Sequence, residues 1–231
     1  LNRLIRICRN SFDKYDFSSA TSEIFNFCSS DLSSFYLDIS KDVLYCDEKN
    51  SIRRKQTQTV LYKVGEALLR ILNPILPFTM DEFNKNMPGE RVKNVQYLTY
   101  PTYEDKENLA LLEEYEQILK LRSDVLKALE EARNLKVIGS AQEAFVSIAI
   151  KDSKVKEVAS KFNLEELASL FVVSEVALED NDSQKEFEVS KIEVKHHDGK
   201  FCSRCWNYSK LGIIQEDRTY LCPRCQKVIH K

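Results

Sequence analysis

Two copies of one short motif, Cys202-Ser203-Arg204-Cys205 and Cys222-Pro223-Arg224-Cys225, decide how the last part of this 231-residue sequence folds. Each Cys-x-x-Cys motif places two sulfurs on one tight turn, and sixteen residues separate the two motifs. This spacing is typical of a zinc site in which four thiolates hold one Zn²⁺ tetrahedrally. Because four cysteines leave no coordination position for water, we expect one structural zinc ion and no Lewis-acid catalysis. The predicted ligands are Cys202, Cys205, Cys222 and Cys225.

The same cysteines would instead form two disulfide bonds if the protein were secreted. The other three, Cys8, Cys28 and Cys46, are scattered singly among apolar helical patterns, as buried reduced thiols would be. We therefore favour zinc over disulfides. The nearby His196 and His197 are also possible metal ligands, but four cysteines suffice and we assign both to a linker.

The composition favours long helices with few tight turns. Only 5 Gly and 5 Pro occur in 231 residues, and 43% of the residues are hydrophobic, which is enough to bury a core. The sequence contains no run of about 18 apolar residues, so we expect no membrane partner. It starts at Leu1 without Met or a signal peptide, which predicts a fragment of a longer protein. We also predict a cytoplasmic location.

The charges are unevenly distributed along the chain. Residues 102–180 carry 17 acidic and 10 basic side chains, whereas residues 198–231 carry 3 acidic and 7 basic ones. Residues 1–101 are nearly balanced, with 14 basic and 12 acidic side chains. A polyanion would therefore approach the two ends more easily than the middle.

Apolar residues at helical spacing divide the first part of the chain into helices. One stripe runs from Leu1 to Tyr15, a second from Ala20 to Ile39, and a third from Val60 to Ile71. Pro74 prevents the third helix from continuing. Such stripes are far more often the core of a helical bundle than a cofactor site, and we interpret them as core.

Two further helices are predicted before residue 135. Thr79 and Glu82 form a capping-box pattern that predicts a short fourth helix, ended by residues 87–89, Met-Pro-Gly. A stripe from Leu112 to Leu129 predicts a long, acidic fifth helix. Because all of these stripes lie within residues 1–135, we expect the helices to fold without the metal motifs.

The apolar period changes at Phe145. Residues 145–150, 170–177 and 187–194 are predicted strands, with short helices between the first two. Three strands with helices on one side form a small α+β subdomain. The predicted fold is therefore mainly α, with an α+β part and a four-cysteine module.

Several stretches resemble bacterial isoleucyl-tRNA synthetases, in the same order. Residues 31–38 read Asp-Leu-Ser-Ser-Phe-Tyr-Leu-Asp, and residues 41–45 read Lys-Asp-Val-Leu-Tyr. Residues 51–62, Ser-Ile-Arg-Arg-Lys-Gln-Thr-Gln-Thr-Val-Leu-Tyr, continue to Asn-Pro-Ile-Leu-Pro-Phe-Thr at residues 73–79. Further matches are Glu131-Ala132-Arg133-Asn134, Ile138-Gly139-Ser140, Glu143-Ala144, and the two cysteine motifs with Trp206-Asn207-Tyr208.

The resemblance implies three parts. An anticodon-binding helical bundle would occupy residues 1–101, a long helix with a small α+β junction subdomain residues 102–195, and a Cys₄ zinc ribbon residues 196–231. Ala141-Gln142 departs from the Ser-Leu that we expect in many relatives, so no role is assigned to these two residues.

The resemblance also implies a function. The intact enzyme would be a monomeric class I ligase that joins isoleucine to its tRNA using ATP. The His-Ile-Gly-His-like and Lys-Met-Ser-Lys-Ser-like signature motifs of that class are absent here, as is any recognisable editing domain. This chain would therefore recognise the anticodon stem-loop of isoleucine tRNA, while ATP would bind only in a catalytic domain that it lacks.

Basic and aromatic side chains are the candidate tRNA contacts. Arg53-Arg54-Lys55 precedes an apolar helix, where such side chains bind phosphates or stack on bases, although a solvated helix end is the alternative. Trp206, the only Trp, directly follows a predicted zinc ligand and would stack on an unpaired base, unless it packs against the ribbon itself. The predicted contacts are Arg53, Arg54, Lys55, Arg204, Trp206, Lys210 and Arg224.

Two other classes of function remain open from the sequence. One is a zinc-ribbon adaptor that binds proteins through its acidic helices and does not bind tRNA. The other is a stand-alone zinc enzyme, which the closed four-cysteine site disfavours. The sequence contains no Ser/His/Asp or Cys/His constellation and no Gly-rich phosphate loop, so we predict no catalytic residue.

Overall fold

Residues 1–103 and 108–230 are described by a computed structural model, and they form two compact units. The described residues of the first unit are 1–38 and 49–103, and those of the second are 39–48 and 108–230. The sequence placed all of residues 1–101 in one bundle, whereas the structure assigns 39–48 to the second unit. The three-part division into 1–101, 102–195 and 196–231 stays a prediction.

The described chain contains nine α-helices and eight short strands. The helices are α1 (Asn2–Asp13), α2 (Phe17–Asn26), α3 (Asp38–Cys46), α4 (Ile52–Leu72), α5 (Pro77–Asn86), α6 (Leu109–Asn134), α7 (Ser153–Ala159), α8 (Leu164–Phe171) and α9 (Pro223–Ile229). The strands are β1 (Ala144–Ile150), β2 (Glu175–Leu178), β3 (Lys185–Glu186), β4 (Ser190–His196), β5 (Lys200–Phe201), β6 (Tyr208–Ser209), β7 (Ile213–Ile214) and β8 (Tyr220–Leu221). The prediction of a mainly α fold with an α+β part and a four-cysteine module is confirmed.

The core of the first unit lies between α1, α2 and α4. Residues four apart face the same side of a helix, which brings Leu4 and Cys8 of α1 together against the neighbouring helices. Burial raises the pKa of the Cys8 thiol to about 11, so Cys8 is a neutral, reduced thiol at neutral pH, as predicted. The buried cluster consists of Leu4, Ile5, Cys8, Ile24, Ala67 and Ile71.

Two local features of this unit differ from the prediction. The capping box at Thr79 and Glu82 is wrong, because α5 already begins at Pro77, whose fixed φ suits the first helical position. Residues Phe27–Leu37 form a π-helix that follows α2 directly, where the sequence predicted one continuous α-helical stripe. The Ser34 hydroxyl donates to the Ser29 carbonyl five residues earlier, at 2.8 Å, which matches this wider winding.

Helix α6 forms the spine of the second unit, and it buries a different face from the one predicted. Leu112, Leu119 and Leu126 are exposed, although Leu129 of the same predicted stripe is buried. The face that packs against the sheet and α7 consists of Ile118, Leu121, Arg122, Asp124, Val125, Ala128, Leu129 and Ala132. In the part of the chain that the structure describes, no helix combines the length and apolarity needed to cross a membrane.

The sheet of the second unit has the strand order β2-β1-β4-β3. Strand β1 pairs with β2 in parallel through a crossover that contains α7 and α8, and it pairs with β4 in antiparallel fashion. The predicted strand at 170–177 is wrong in its first half, because α8 extends to Phe171. That helix begins at a true capping box of Asn163 and Glu166, and it ends at Val172, which adopts a left-handed conformation.

A buried carboxylate joins α6 to this sheet. Asp124 is only 1% exposed, and its Oδ2 accepts hydrogen bonds from the Val189 N–H and from the Ser190 hydroxyl, both at 2.9 Å. The chain turns at this point to enter β4, so the Val189 N–H has no partner in the strand ladder. The Asp124 carboxylate accepts its hydrogen bond instead. Asp124 therefore fixes where β4 starts relative to α6.

Replacing Asp124 should destabilise the second unit. In Asp124→Ala the buried Val189 N–H loses its acceptor, so we expect the free energy of unfolding to fall by about 2–3 kcal/mol in urea titrations. Glu116→Ala, an exposed carboxylate on the same helix, is the matched control and should change stability by less than about 0.5 kcal/mol. Equal losses in the two variants would contradict this role for Asp124.

Candidate metal centre and nucleic-acid interface

The four cysteines predicted as zinc ligands lie together in the second unit. Their Sγ atoms are all within 4.8 Å of one another, and three of the four residues are buried. A tetrahedral ion with Zn–S bonds of about 2.3 Å requires sulfurs about 3.8 Å apart. The Cys205 and Cys222 sulfurs are separated by 3.8 Å, so the donor set fits a zinc ion without rearrangement of that edge.

The first knuckle is closed by backbone hydrogen bonds on both sides of its cysteines. The Cys202 N–H donates to the Asn207 carbonyl at 2.9 Å, and the Trp206 N–H donates to the Cys202 carbonyl at 2.8 Å. Trp206 has a φ of 66°, the left-handed conformation that reverses the chain directly after Cys205. The same turn therefore positions two sulfurs and sets the direction of the Trp206 side chain.

The second knuckle is the start of a helix. Cys222 is the N-cap of α9, Pro223 occupies the first helical position, and Cys225 lies in the first turn. The Cys222 N–H also points at the Cys202 sulfur, 3.3 Å away, and thus joins the two knuckles. A thiolate next to backbone N–H groups is stabilised, because those partial positive charges face it.

Two of the clustered thiols, Cys205 and Cys222, share a hydrogen bond that shifts their pKa values in opposite directions. The hydrogen bond shared between Cys205 and Cys222 lowers the pKa of the Cys222 thiol to about 3 and raises the pKa of Cys205, which keeps the shared proton. Zinc binds thiolates, so this arrangement supplies a charged ligand at neutral pH and one proton for the metal to displace. None of the seven cysteines, all of which the structure describes, forms a disulfide.

Both histidines before the ribbon are engaged elsewhere. His197 is buried, its Nδ1 accepts from the Gly199 N–H at 2.8 Å, and its Nε2 lies 2.9 Å from a Glu175 carboxylate oxygen. The His196 Nδ1 lies 2.9 Å from the His197 carbonyl oxygen. Neither histidine belongs to the sulfur cluster, as predicted, but His197 is more than a linker, because it holds the start of the ribbon against β2.

The predicted tRNA contact Trp206 is exposed. Its side chain has 65% of its surface accessible, and it is not part of the buried ribbon cluster of Cys202, Leu221, Cys222 and Cys225. The alternative in which Trp206 packs inside the ribbon therefore has no support from its environment. An exposed indole on a backbone held by metal ligands is a rigid surface for stacking.

The basic triplet Arg53-Arg54-Lys55 occupies the first turn of α4. Ser51 is the N-cap, and its hydroxyl accepts from the Arg54 N–H at 3.1 Å. Three cations lie here at the positive end of a 21-residue helix, where the helix dipole disfavours them. The Arg54 Nε is buried and has no hydrogen-bond partner within the described residues, so this guanidinium is not fully satisfied by the protein.

The other three predicted contacts have protein partners. Lys210 Nζ lies 3.2 Å from an Asp198 oxygen and 3.8 Å from a Glu175 oxygen. Arg204 and Arg224 both contact α3, in an arrangement that the sequence did not indicate. Arg204, Trp206, Lys210 and Arg224 all belong to the second unit, where Lys210 and the two arginines contact different elements, whereas the triplet belongs to the first unit.

Two regions of the chain match models of known protein families. Residues 1–150 match the family model described as "Anticodon-binding domain of tRNA ligase". Residues 199–228 match the model "Zinc finger found in FPG and IleRS", which contains all four clustered cysteines. The zinc-finger match agrees with the metal fit derived from the sulfur positions.

Curated relatives resemble the chain over nearly its whole length. An isoleucine–tRNA ligase of Thermotoga petrophila is 37% identical over 99% of this chain and 25% of its own length. Isoleucine–tRNA ligase 1 of Oceanobacillus iheyensis is 37% identical over 100% of this chain and 25% of its own. An isoleucine–tRNA ligase of Staphylococcus aureus is 40% identical over 95% and 24%, respectively. The chain thus spans about a quarter of the length of these relatives.

Zinc should bind with a stoichiometry of one ion per chain. Cys222→Ser should lower bound zinc well below one equivalent, because serine supplies no thiolate. Cys28→Ser, which changes a half-buried thiol outside the sulfur cluster, is the matched control and should retain zinc. Metal analysis of the purified proteins measures this, and equal zinc contents in both variants would rule out the assigned site.

Proposed function

Because the chain belongs to the family of anticodon-binding domains of tRNA ligases, we propose that it recognises the anticodon stem-loop of isoleucine tRNA. The relatives named above are isoleucine–tRNA ligases, and their similarity supports isoleucine over other amino acids. We further propose that a ligase containing this chain joins isoleucine to that tRNA using ATP. Its monomeric state and its cytoplasmic location stay predictions.

The observation that carries this proposal is the placement of Arg53, Arg54 and Lys55 at the N-terminus of α4. Cations at the positive end of a helix destabilise it, so their presence is best explained by an anionic partner that they bind. The phosphates of an RNA backbone supply such an anion, and guanidinium groups bind them with paired hydrogen bonds. Lys55 and Arg53 of this turn are exposed, so a phosphate can reach them from solvent.

Trp206 would supply contacts to bases. Sequence-specific RNA recognition acts mostly on unpaired bases that stack on aromatic side chains, and anticodon bases are unpaired in the free tRNA. Trp206 directly follows the ligand Cys205 and its backbone adopts a left-handed turn, so bound zinc would hold the backbone that carries the indole before the RNA arrives. Less conformational entropy is then lost on binding than with a flexible aromatic side chain.

Zinc would act structurally in this mechanism. When bound, it would hold the two knuckles together through Cys202, Cys205, Cys222 and Cys225, and it would supply no chemistry to a substrate. The chain's own residues would bind phosphates and bases and so orient the tRNA. Joining of isoleucine to the tRNA would require the signature motifs of class I ligases, which this sequence does not contain.

A protein-binding adaptor remains the second candidate, and one observation favours it. Leu211, Ile213 and Ile214 of the ribbon are all at least half exposed, and exposed apolar residues often mark protein interfaces. Filter binding with isoleucine tRNA and a non-cognate tRNA separates the candidates. Selective retention of isoleucine tRNA supports recognition of RNA, and no retention of either tRNA supports the adaptor.

Trp206→Ala should weaken the recognition of anticodon bases. We expect the loss of one stacking contact to reduce affinity for the isoleucine anticodon stem-loop by about 1–3 kcal/mol, and the preference over loops with altered anticodons to shrink. Leu211→Ala, which removes an exposed apolar side chain from the same ribbon, is the control and should bind both loops as the unmodified chain does. An unchanged preference in Trp206→Ala with zinc retained would place specificity elsewhere.

Lys55→Ala should instead weaken binding to all loops equally. A phosphate contact is independent of sequence, so we expect the slope of log affinity against log salt concentration to become shallower by about one counterion. Lys156→Ala, an exposed lysine of α7 in the acidic middle segment, is the control and should leave the slope unchanged. Because Lys210 is already paired with Asp198, Lys210→Ala should change the slope less than Lys55→Ala does. Identical slopes in Lys55→Ala and the unmodified chain would exclude a phosphate contact.

A further inference from the structure

The two metal motifs carry an arginine at the same position, directly before the second cysteine. Arg204 precedes Cys205, and Arg224 precedes Cys225. In each motif the cysteine side chain joins the sulfur cluster, while the arginine side chain reaches α3, whose residues 39–46 belong to the same unit. Arg204 contacts carbonyls of the last turn of α3, and Arg224 contacts Asp42 before that turn and Asp47 directly after it.

Arg224 binds the two acidic side chains that flank the last turn of α3. Its Nη1 and Nη2 lie 2.5 and 2.6 Å from the two carboxylate oxygens of Asp42, which is a bidentate pair. Its Nη1 is also 3.7 Å from an oxygen of Asp47, which is buried. The hydrogen bonds to Asp42 raise the pKa of Arg224 further above its ordinary value. One guanidinium therefore holds both carboxylates at the end of α3.

Arg204 binds the backbone of the same turn and a metal ligand together. Its Nη1 donates to the Cys46 carbonyl at 2.6 Å, and its Nη2 lies 3.4 Å from the Tyr45 carbonyl. The same Nη1 is 3.5 Å from the Cys225 sulfur. In return, the Cys46 thiol lies 3.8 Å from the Arg204 carbonyl. Arg204 thus connects a zinc-ligand sulfur directly to the C-terminal carbonyls of α3.

Helix α3 needs these contacts, because its own sequence does not stabilise its C-terminus. The last four carbonyls of a helix have no partner within it, and the negative end of the dipole favours nearby cations. The last turn of α3 contains no basic residue, and two acidic residues flank it, Asp42 directly before and Asp47 directly after the helix end. Arg204 and Arg224 supply the missing positive charges from the ribbon.

We propose that Arg204 and Arg224 form an arginine latch, by which zinc binding in the ribbon and ordering of the last turn of α3 become one coupled event. Each latch arginine lies between two ligand positions of its motif, so it is held in place only when its knuckle is formed. Four thiolates carry more negative charge than one Zn²⁺ neutralises, and Arg204 compensates part of it at Cys225. The latch makes Arg204 and Arg224 positioning residues rather than RNA contacts, and it does not depend on tRNA binding.

Thermodynamic linkage gives the latch a reciprocal signature. If zinc orders the last turn of α3, then the acidic side chains of α3 must strengthen zinc binding by the same factor. Asp42 pairs with Arg224, and Arg224 in turn interacts with the ligand sulfur of Cys205, so Arg224 is the route by which Asp42 would act on zinc affinity. A purely local role of the arginines beside the sulfurs predicts no such effect.

Amide hydrogen exchange of the whole chain tests the first direction. With zinc bound, peptides covering residues 43–47 should exchange slowly, and removal of zinc with a chelator should make them exchange faster. Peptides of α4, in the other unit, are the internal control and should not change. Unchanged exchange of residues 43–47 after full zinc removal would overturn the proposal.

Competition with a chromophoric zinc chelator tests the reciprocal direction. Asp42→Asn and Arg224→Gln should each weaken zinc binding about tenfold, the effect typical of residues that hold metal ligands in place. The matched controls are Asp182→Asn and Arg218→Gln, an exposed carboxylate and an exposed arginine of the same unit, and both should keep the affinity of the unmodified chain. The exchanged pair Asp42→Arg with Arg224→Asp should recover part of the loss.

Two outcomes would refute the latch even if a variant misfolds. Both arginines interact with ligand sulfurs, Arg204 with Cys225 and Arg224 with Cys205, so an unfolded ribbon in either arginine variant would not be informative. The Asp42→Asn variant therefore carries the decision. Zinc affinity of Asp42→Asn equal to that of the unmodified chain would overturn the proposal. The second refuting outcome concerns Arg224→Gln. If this variant loses anticodon-loop binding while its zinc affinity and the exchange of residues 43–47 are unchanged, then Arg224 is an RNA contact and the proposal is wrong.

Discussion

The requirement that four sulfurs surround one point controls the C-terminal part of the molecule. The strands of the ribbon are only two residues long, and its buried cluster consists of three cysteines and Leu221, which is too little apolar surface to fold alone. The four sulfurs lie within 4.8 Å of one another only when the ribbon is folded, so the free energy of zinc binding stabilises the folded ribbon. For structural zinc this free energy is on the order of 10–16 kcal/mol. The left-handed turn at Trp206 and the directions of Arg204 and Arg224 follow from that closure.

The distribution of charge along the sequence agrees with the positions of the candidate binding residues, which lie in its first and last parts. The middle of the chain is acidic, and its buried Asp124 is used internally to join α6 to β4. The acidic end of α3 is neutralised by the latch arginines. The triplet Arg53-Arg54-Lys55 lies instead at the start of α4, where the helix dipole adds to its positive charge. An RNA backbone fits that arrangement, because its phosphates favour both the cations and the dipole.

The sequence was informative where local rules determine structure. Cysteine spacing identified the metal cluster, and apolar periodicity located α1, α4 and α6. It failed where tertiary contacts decide the outcome, because the buried face of α6 depends on the sheet packed against it. It also failed at residues 27–37, which wind as a π-helix where an α-helical stripe was predicted. Arg224 and Asp42 are 182 residues apart, so no local pattern reveals their pairing, and the sequence assigned this arginine to RNA. The repeated Cys-x-Arg-Cys motif was the only available signal.

The central claim is that this chain reads an anticodon and that zinc organises the ribbon for doing so. The most direct measurement compares binding of the 231-residue chain to the isoleucine anticodon stem-loop and to the same loop with a substituted anticodon, at one salt concentration, with zinc and after its removal. We predict tighter binding to the isoleucine loop with zinc, and a smaller difference between the loops without it. Equal affinities for the two loops in the presence of zinc would contradict the claim.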